Sequence, residues 1–313
     1  MTDQRALLSE GFRRVWRYQR VLWWVFFVNL VLAFFGSMPA VEKMAAFTDH
    51  SLEARRIADV FDLGSYSALM ANPELNLFSV TGESLHFALV FFAFVLFLTG
   101  GILEAYRADR KLRTREFFEA CGTYFWRWVR LLILMLIVMV PVLMLASWIS
   151  GKTADLLLLS GAAREKAGFW ELAGGLGVVA LLLMFIRLWF DMTQVWAVVE
   201  EETGMWRGAW RALKLTLSNF GSLFWMYLRI SVLGWLGFAV GVYVWAKMPP
   251  ARFEWTILVL ELVVLWGFGM RLWQRSSEMV WYQRKFLVPV VLAPVQVTPP
   301  TPLLTIAPTP PQS

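Results

Sequence analysis

The sequence predicts an all-α fold, a polytopic transmembrane helical bundle of about six spans with interfacial cytoplasmic helices, and three observations carry that prediction. Of 313 residues, 58% are hydrophobic and 16% aromatic while only 17% are charged, and the mean hydropathy is +0.57. A soluble globular domain rarely combines so much apolar surface with so little charge. Six stretches approach the roughly 20 apolar residues that a helix needs to cross about 30 Å of hydrocarbon. Basic residues and tryptophans gather at the ends of these stretches, where headgroups meet acyl chains.

Taken in chain order, residues 1–20 form a basic, amphipathic cytoplasmic segment that leads into a six-span membrane domain, residues 21–286. The first span covers residues 21–39. Its apolar run could serve as a signal-peptide core, but Trp23, Trp24 and Asn29 are unsuited to one, and Met38 stands where a cleavage site needs a small residue, so a retained helix is expected. Residues 40–85 form the external loop, with seven acids against Lys43, Arg55 and Arg56. In it "SLEARRIADVF" places Leu52, Ile57, Val60 and Phe61 at helical spacing, which predicts a short amphipathic helix packed over the bundle. The second span covers residues 86–106.

"YRADRKLRTREFFEACGTYFWRWVR" then joins spans two and three, and "VEEETGMWRGAWRALKLTLSNFGSLFWMYLR" joins spans four and five. Both set an apolar helical face against Arg and Lys, so both read as interfacial helices, and their likeness suggests that spans two to three and four to five are parallel copies. Span three, residues 131–149, carries Pro141 and is expected to bend there. Span four, residues 172–190, opens with Gly174, Gly175 and Gly177, small enough for close helix contact. Span five covers residues 223–245 and span six residues 253–272. The continuation "RLWQRSSEMVWYQRKF" reads as a helix lying on the inner surface. Residues 287–313 are too rich in proline and too poor in charge to pack, and form a disordered cytoplasmic tail.

Orientation follows from charge. Nineteen Lys and Arg fall in residues 1–20, 107–130, 200–222 and 271–313 against eight in the intervening outside segments, so both termini are expected in the cytoplasm. Trp128 and Trp148, Trp225 and Trp245, and Trp255 and Trp273 bracket spans three, five and six at separations of about 27 to 30 Å, the thickness of a hydrocarbon core.

Several function classes are excluded. One cysteine, Cys121, and two histidines, His50 and His86, leave no metal-ligand cluster, and neither a metal nor another cofactor is expected. The net charge of +6 is accounted for by the positive face toward anionic inner-leaflet lipids, so the bilayer itself, with other membrane proteins, is the expected partner and nucleic acid is not. There is no H-E-x-x-H, G-x-S-x-G or paired-cysteine motif, and "ASWISGKT" has Ala146 where a phosphate-binding loop needs its first glycine. No nucleophile, base and orienting group can be assembled, so a noncatalytic role is expected.

Two polar constellations remain. Glu261 stands inside "TILVLELVVLWGFG", where an ionised acid costs about 2.5 to 3.5 kcal/mol. Depths of about 16 Å for Glu261 and about 13 Å for Asn29 from the cytoplasmic ends open a hydrogen bond between spans six and one. Arg187 and Asp191 share a helical face at i and i+4, and Arg229 on the next span completes a candidate Arg, Asp, Arg cluster at the inner face.

At "EGFRRVWRYQRVLWWVFFVNLVLAF", "DMTQVWAVVEEETGMWRGAWRALKLTLSNFGSLF" and "SSEMVWYQRKF" the chain resembles uncharacterised six-span bacterial inner-membrane proteins, and the membrane domain attached to some glycerophosphodiester phosphodiesterases. The resemblance, over about half the chain, implies a helical bundle in a bacterial cytoplasmic membrane. The soluble phosphodiesterase domain has no counterpart here, so its activity is not implied. The expected role is an envelope accessory or scaffold; the alternative is a small transporter or lipid-handling permease using the intramembrane carboxylate.

Overall fold

The computed structural model describes residues 2–48, 77–158, 162–201, 203–248 and 253–287. Among these are eight helices and no strand: α1 Thr2–Arg17, α2 Gln19–Thr48, α3 Leu77–Ala108, α4 Thr114–Leu158, α5 Ala162–Val199, α6 Met205–Ser218, α7 Phe220–Ala246 and α8 Phe253–Phe286. Six contain stretches long and apolar enough to cross a membrane: Gln19–Lys43, Ser84–Ala108, Thr114–Ile149, Ala173–Val199, Phe220–Ala246 and Glu254–Phe286. The chain is a multi-pass membrane protein. The expected external helix at residues 52–61 and the tail at 288–313 lie outside the described residues.

Packing is concentrated at the end of the bundle that carries α1. There Val21 and Val25 of α2, Leu98 to Tyr106 of α3, Phe117 to Leu131 of α4, Ile186 to Val198 of α5, Leu223 to Ile230 of α7 and Leu272 to Tyr282 of α8 supply the core. At the far end Phe34, Ile137, Met144 and Val240 are each at least 60% exposed. That apolar surface is covered by acyl chains in a bilayer, which lack the penalty of water. Close approach is set by small residues: a Cβ on Gly101 of α3 would lie 2.7 Å from both Cys121 Sγ and a ring carbon of Phe117 on α4. Gly234, Gly237 and Gly241 of α7 face Met270, Trp266 and Val263 of α8, which fixes an antiparallel register.

Three expectations change. The residues after 272 do not lie on the surface; they continue the last span, and Gln274, Arg275, Ser276, Ser277 and Glu278 are buried at the centre of the packed end. Their polarity read as a solvated face because the cover comes from α1, far away in sequence. Gly11 of α1 seats directly on Ser277, Trp273 Nε1 donates to the Leu8 carbonyl at 2.8 Å, and the Arg14 guanidinium donates to Gln283 Oε1 and the Tyr106 carbonyl, each at 2.8 Å. The first inner connection also makes no separate helix: α4 starts at Thr114 and runs unbroken into the span, whereas the second connection forms the distinct amphipathic α6. Among the bracketing tryptophans, Trp148, Trp225, Trp245 and Trp255 are exposed as interfacial residues should be, but Trp128 is fully buried and stacks on Tyr124 at 5.7 Å.

The α1 contact generates two predictions. Gly11→Val inserts atoms where Ser277 sits, and overpacking of this kind costs about 1 to 3 kcal/mol; faster proteolysis and hydrogen exchange of α1 are expected, and unchanged protection would refute the contact. Glu10 joins Arg14 at 2.9 Å and also Arg284 of α8. Partial burial opposes its ionisation, but the hydrogen bonds and charges of Arg284 and Arg14 outweigh that and hold its carboxyl below the usual 4.5. A depressed value means the contribution is complete above pH 4.5 and fades as pH falls through the lower folded value. Protection factors of α1 amides, corrected for the intrinsic exchange rate, should therefore fall in acid, and Glu10→Gln should show the lower protection already at neutral pH.

Candidate functional site

Asp191 lies on α5, eight residues from its end, and is 3% exposed. Its two carboxylate oxygens accept one hydrogen bond each from the two terminal nitrogens of Arg271 on α8, both at 2.5 Å. This planar, two-point pairing is the strongest geometry an arginine offers a carboxylate. One turn further along α8, Arg275 donates to Thr99 Oγ1 of α3 at 3.0 Å, and Gln274 donates to Ser231 Oγ of α7 at 3.0 Å. The register of α7 against α8 sets Arg271 beside Val232, about 10 Å deeper along the axis than Trp225 at 1.5 Å per residue.

A cavity of about 390 Å³ opens beside this pair, between α3, α4, α5 and α8. Its outer walls are Phe92, Leu96, Leu132, Met135, Met139 and Leu183; at its other end are Arg187, Asp191, Arg271 and Arg275, with Trp128, Gln194 and Thr99. Phe92 and Arg187 are exposed at its rim, so it communicates with the surroundings of the bundle. Three arginines against one aspartate leave the lining cationic. Arg187 makes no ion pair among the described residues, and Trp128 Nε1, Arg275 Nε and Gln194 Oε1 are buried without a hydrogen-bond partner there. Buried polar atoms are normally satisfied, and three of the twelve unpartnered ones among the described residues belong to residues that line this cavity, so its wall holds hydrogen-bonding capacity that the chain leaves unused.

The residues singled out in the sequence are distributed unevenly. Arg187 and Asp191 both line the cavity, but Asp191 pairs with Arg271 of α8 instead of its own-helix neighbour. Arg229 lies elsewhere, its guanidinium over the Trp225 ring at 5.9 Å. No hydrogen bond links Glu261 to Asn29 among the described residues. Glu261 is partly exposed with Oε2 shielded and unpartnered, level with Tyr243 and about 9 Å along the axis from Trp255. Asn29 lines a separate cavity with Ser84 and Phe87 between α2 and α3.

Arg271, Arg275 and Trp128 were missed as site residues. Arg271 and Arg275 read as orientation charges, and Trp128 as an interfacial anchor. The usable signal was their spacing with Glu278: positions 271, 275 and 278 fall on one helical face of a segment that also carries Trp, Met and Val. Glu278 is fully buried, both of its oxygens lack a partner among the described residues, and it lies in the field of Asp191, Arg271, Arg275 and Arg187. No protein-family model, curated protein or solved structure matches the chain.

Breaking the buried pair should be far costlier than removing it. Asp191→Leu leaves Arg271 charged and unpaired and should lower stability in detergent by about 3 to 5 kcal/mol, whereas Asp191→Leu with Arg271→Met should recover most of that loss. Thermal unfolding of the purified variants decides it; equal losses in single and double variants would show that the pair does not couple α5 to α8.

Proposed function

We propose that this is a lipid-handling integral membrane protein of a bacterial cytoplasmic membrane, with both termini in the cytoplasm, that holds an anionic amphiphile in its core without transforming it. The observation that carries this reading is the two-natured cavity, apolar along its outer walls and cationic, with unsatisfied donors, at the packed end. A ligand with an acyl body and an anionic head satisfies both halves at once, burying methylenes against Leu132, Met135 and Met139 and placing acceptor oxygens near Arg187, Arg275 and Trp128. The nineteen basic residues of the terminus-bearing side support a cytoplasmic orientation, so the head would sit toward the inner leaflet.

A scaffold needs no internal cavity and no unpaired buried donors, and the Glu261 and Asn29 pair offers no shared contact for a substrate. The lipid-handling reading therefore takes its centre from Arg187, Asp191, Arg271 and Arg275. Gentle purification followed by mass spectrometry of retained lipid tests it. Wild-type protein should carry an anionic lipid at near one per chain, and Arg187→Ala with Arg275→Gln should lose most of it while remaining monodisperse. Equal lipid retention by that variant, or no retained lipid in the wild type, would defeat the reading.

A further inference from the structure

We infer that the amphiphile is a diacyl lipid with a phosphate headgroup, held with one chain on each side of α3; this rests on the lipid-handling reading and specifies its ligand. The inference comes from a second cavity, of about 320 Å³, on the opposite side of α3. Its distinctive walls are Val25 of α2, Ala88, Phe91 and Ile102 of α3, and Phe268 and Leu272 of α8. The two cavities are bounded in common by Phe92, Val95, Arg271 and Arg275. Two apolar chambers of similar size thus flank a ridge formed by Phe92 and Val95, and both reach the same pair of arginines.

One headgroup against Arg275, which bounds both chambers, with Arg187 and Trp128 on the side of the first chamber and one chain in each chamber, is the shape of a diacyl lipid. A single-chain amphiphile would fill one chamber and leave the other without contacts. The polar end favours phosphate over carboxylate. Asp191 already occupies both terminal nitrogens of Arg271, and the remaining donors, on Arg187, Arg275 Nε and Trp128 Nε1, come from α5, α8 and α4. Donors arriving from three helices suit a tetrahedral group with several acceptor oxygens better than a flat one with two.

The test uses full-length protein in nanodiscs of neutral lipid, with four probes: a diacyl phosphatidic acid, the monoacyl lysophosphatidic acid of the same chain, the matching diacylglycerol, and inorganic phosphate. The diacyl phosphate lipid should bind at least about tenfold more tightly than the monoacyl form and the diacylglycerol, because the second chain and the head each add buried contacts. Ala88→Phe occludes the second chamber from a lipid-exposed position, and should abolish the preference for two chains while leaving monoacyl binding within about twofold. Equal binding of monoacyl and diacyl forms, or equal weakening of both by Ala88→Phe, overturns the two-chain inference alone. Diacylglycerol binding as tightly as the phosphate lipid overturns the headgroup assignment. Displacement of lipid by inorganic phosphate at matching concentration identifies a free-phosphate site and overturns the inference. If no acyl probe binds, the lipid-handling reading itself falls. Should Ala88→Phe fail to fold, the wild-type ratio of diacyl to monoacyl affinity decides.

Discussion

The Arg271 to Asp191 pair is the constraint from which the rest of the bundle takes its shape. Two charges removed from water carry a desolvation cost of several kcal/mol each, and only close, two-point hydrogen bonding offsets it. Those bonds exist at one relative position of α5 and α8, so the pair sets their axial register. With α8 so placed, its polar run is committed to the interior, and the neighbours must supply partners. They do so in part: Thr99 from α3, Ser231 from α7, the Leu8 carbonyl from α1, and Glu200, which accepts from Tyr282 at 3.0 Å, are partners along α8, while the side chains of Ser276, Ser277 and Glu278 find none among the described residues. A span that would otherwise face lipid becomes the central post of the packed end. Greasy residues could not impose this, because in a bilayer an apolar side chain is as well placed against an acyl tail as against another helix.

That constraint also explains where the cavity lies. Beyond Arg271 neighbouring helices still touch in pairs, Gly237 against Trp266, Gly175 against Ile149 and Gly36 against Phe87, but no buried ion pair joins them there among the described residues. On the packed side of Arg271, Met192, Val195 and Met279 have essentially no exposure; on the other side the walls are Met135, Met139 and Leu183, each partly exposed. A cleft opening there toward hydrocarbon follows directly, with its charged end inside and its apolar mouth in the membrane.

Much of the fold was legible in the sequence because the signals are local. Span length and hydropathy, basic ends and flanking tryptophans all act within some twenty residues, and each expected span falls inside an observed helix. The errors share one cause, which is that burial of a polar segment is decided by a partner distant in the chain. "QRSSE" has the composition of a wetted face, and only the seating of α1 through Gly11 makes it a core. Asp191 was recognised as needing a cation, but spacing rules see i and i+4, and so pointed to Arg187 instead of an arginine 80 positions away. Trp128 matched the spacing of an interfacial anchor, and nothing in its neighbours reveals that this turn of α4 is buried in the core.

Charge balance supplies the final step. Around the inner end of the cavity Arg275, buried, Arg271, partly buried, and Arg187, exposed at the rim, stand against Asp191 and Glu278, a formal excess of one positive charge. Uncompensated charge is expensive where it is buried, as at Arg275, and two of the three arginines lack a carboxylate bonded to them: Arg275 has a hydroxyl and Arg187 has no hydrogen bond or ion pair among the described residues. The protein has therefore retained a cationic surplus where the fold by itself would favour neutrality. A surplus beyond what the carboxylates of the chain neutralise is readily understood as one half of an interaction, the other half being an anion whose own body is compatible with hydrocarbon. A phosphodiester or phosphomonoester carrying acyl chains meets both conditions, and it meets them at the one depth where the arginines, the orphaned indole nitrogen of Trp128 and the apolar walls adjoin.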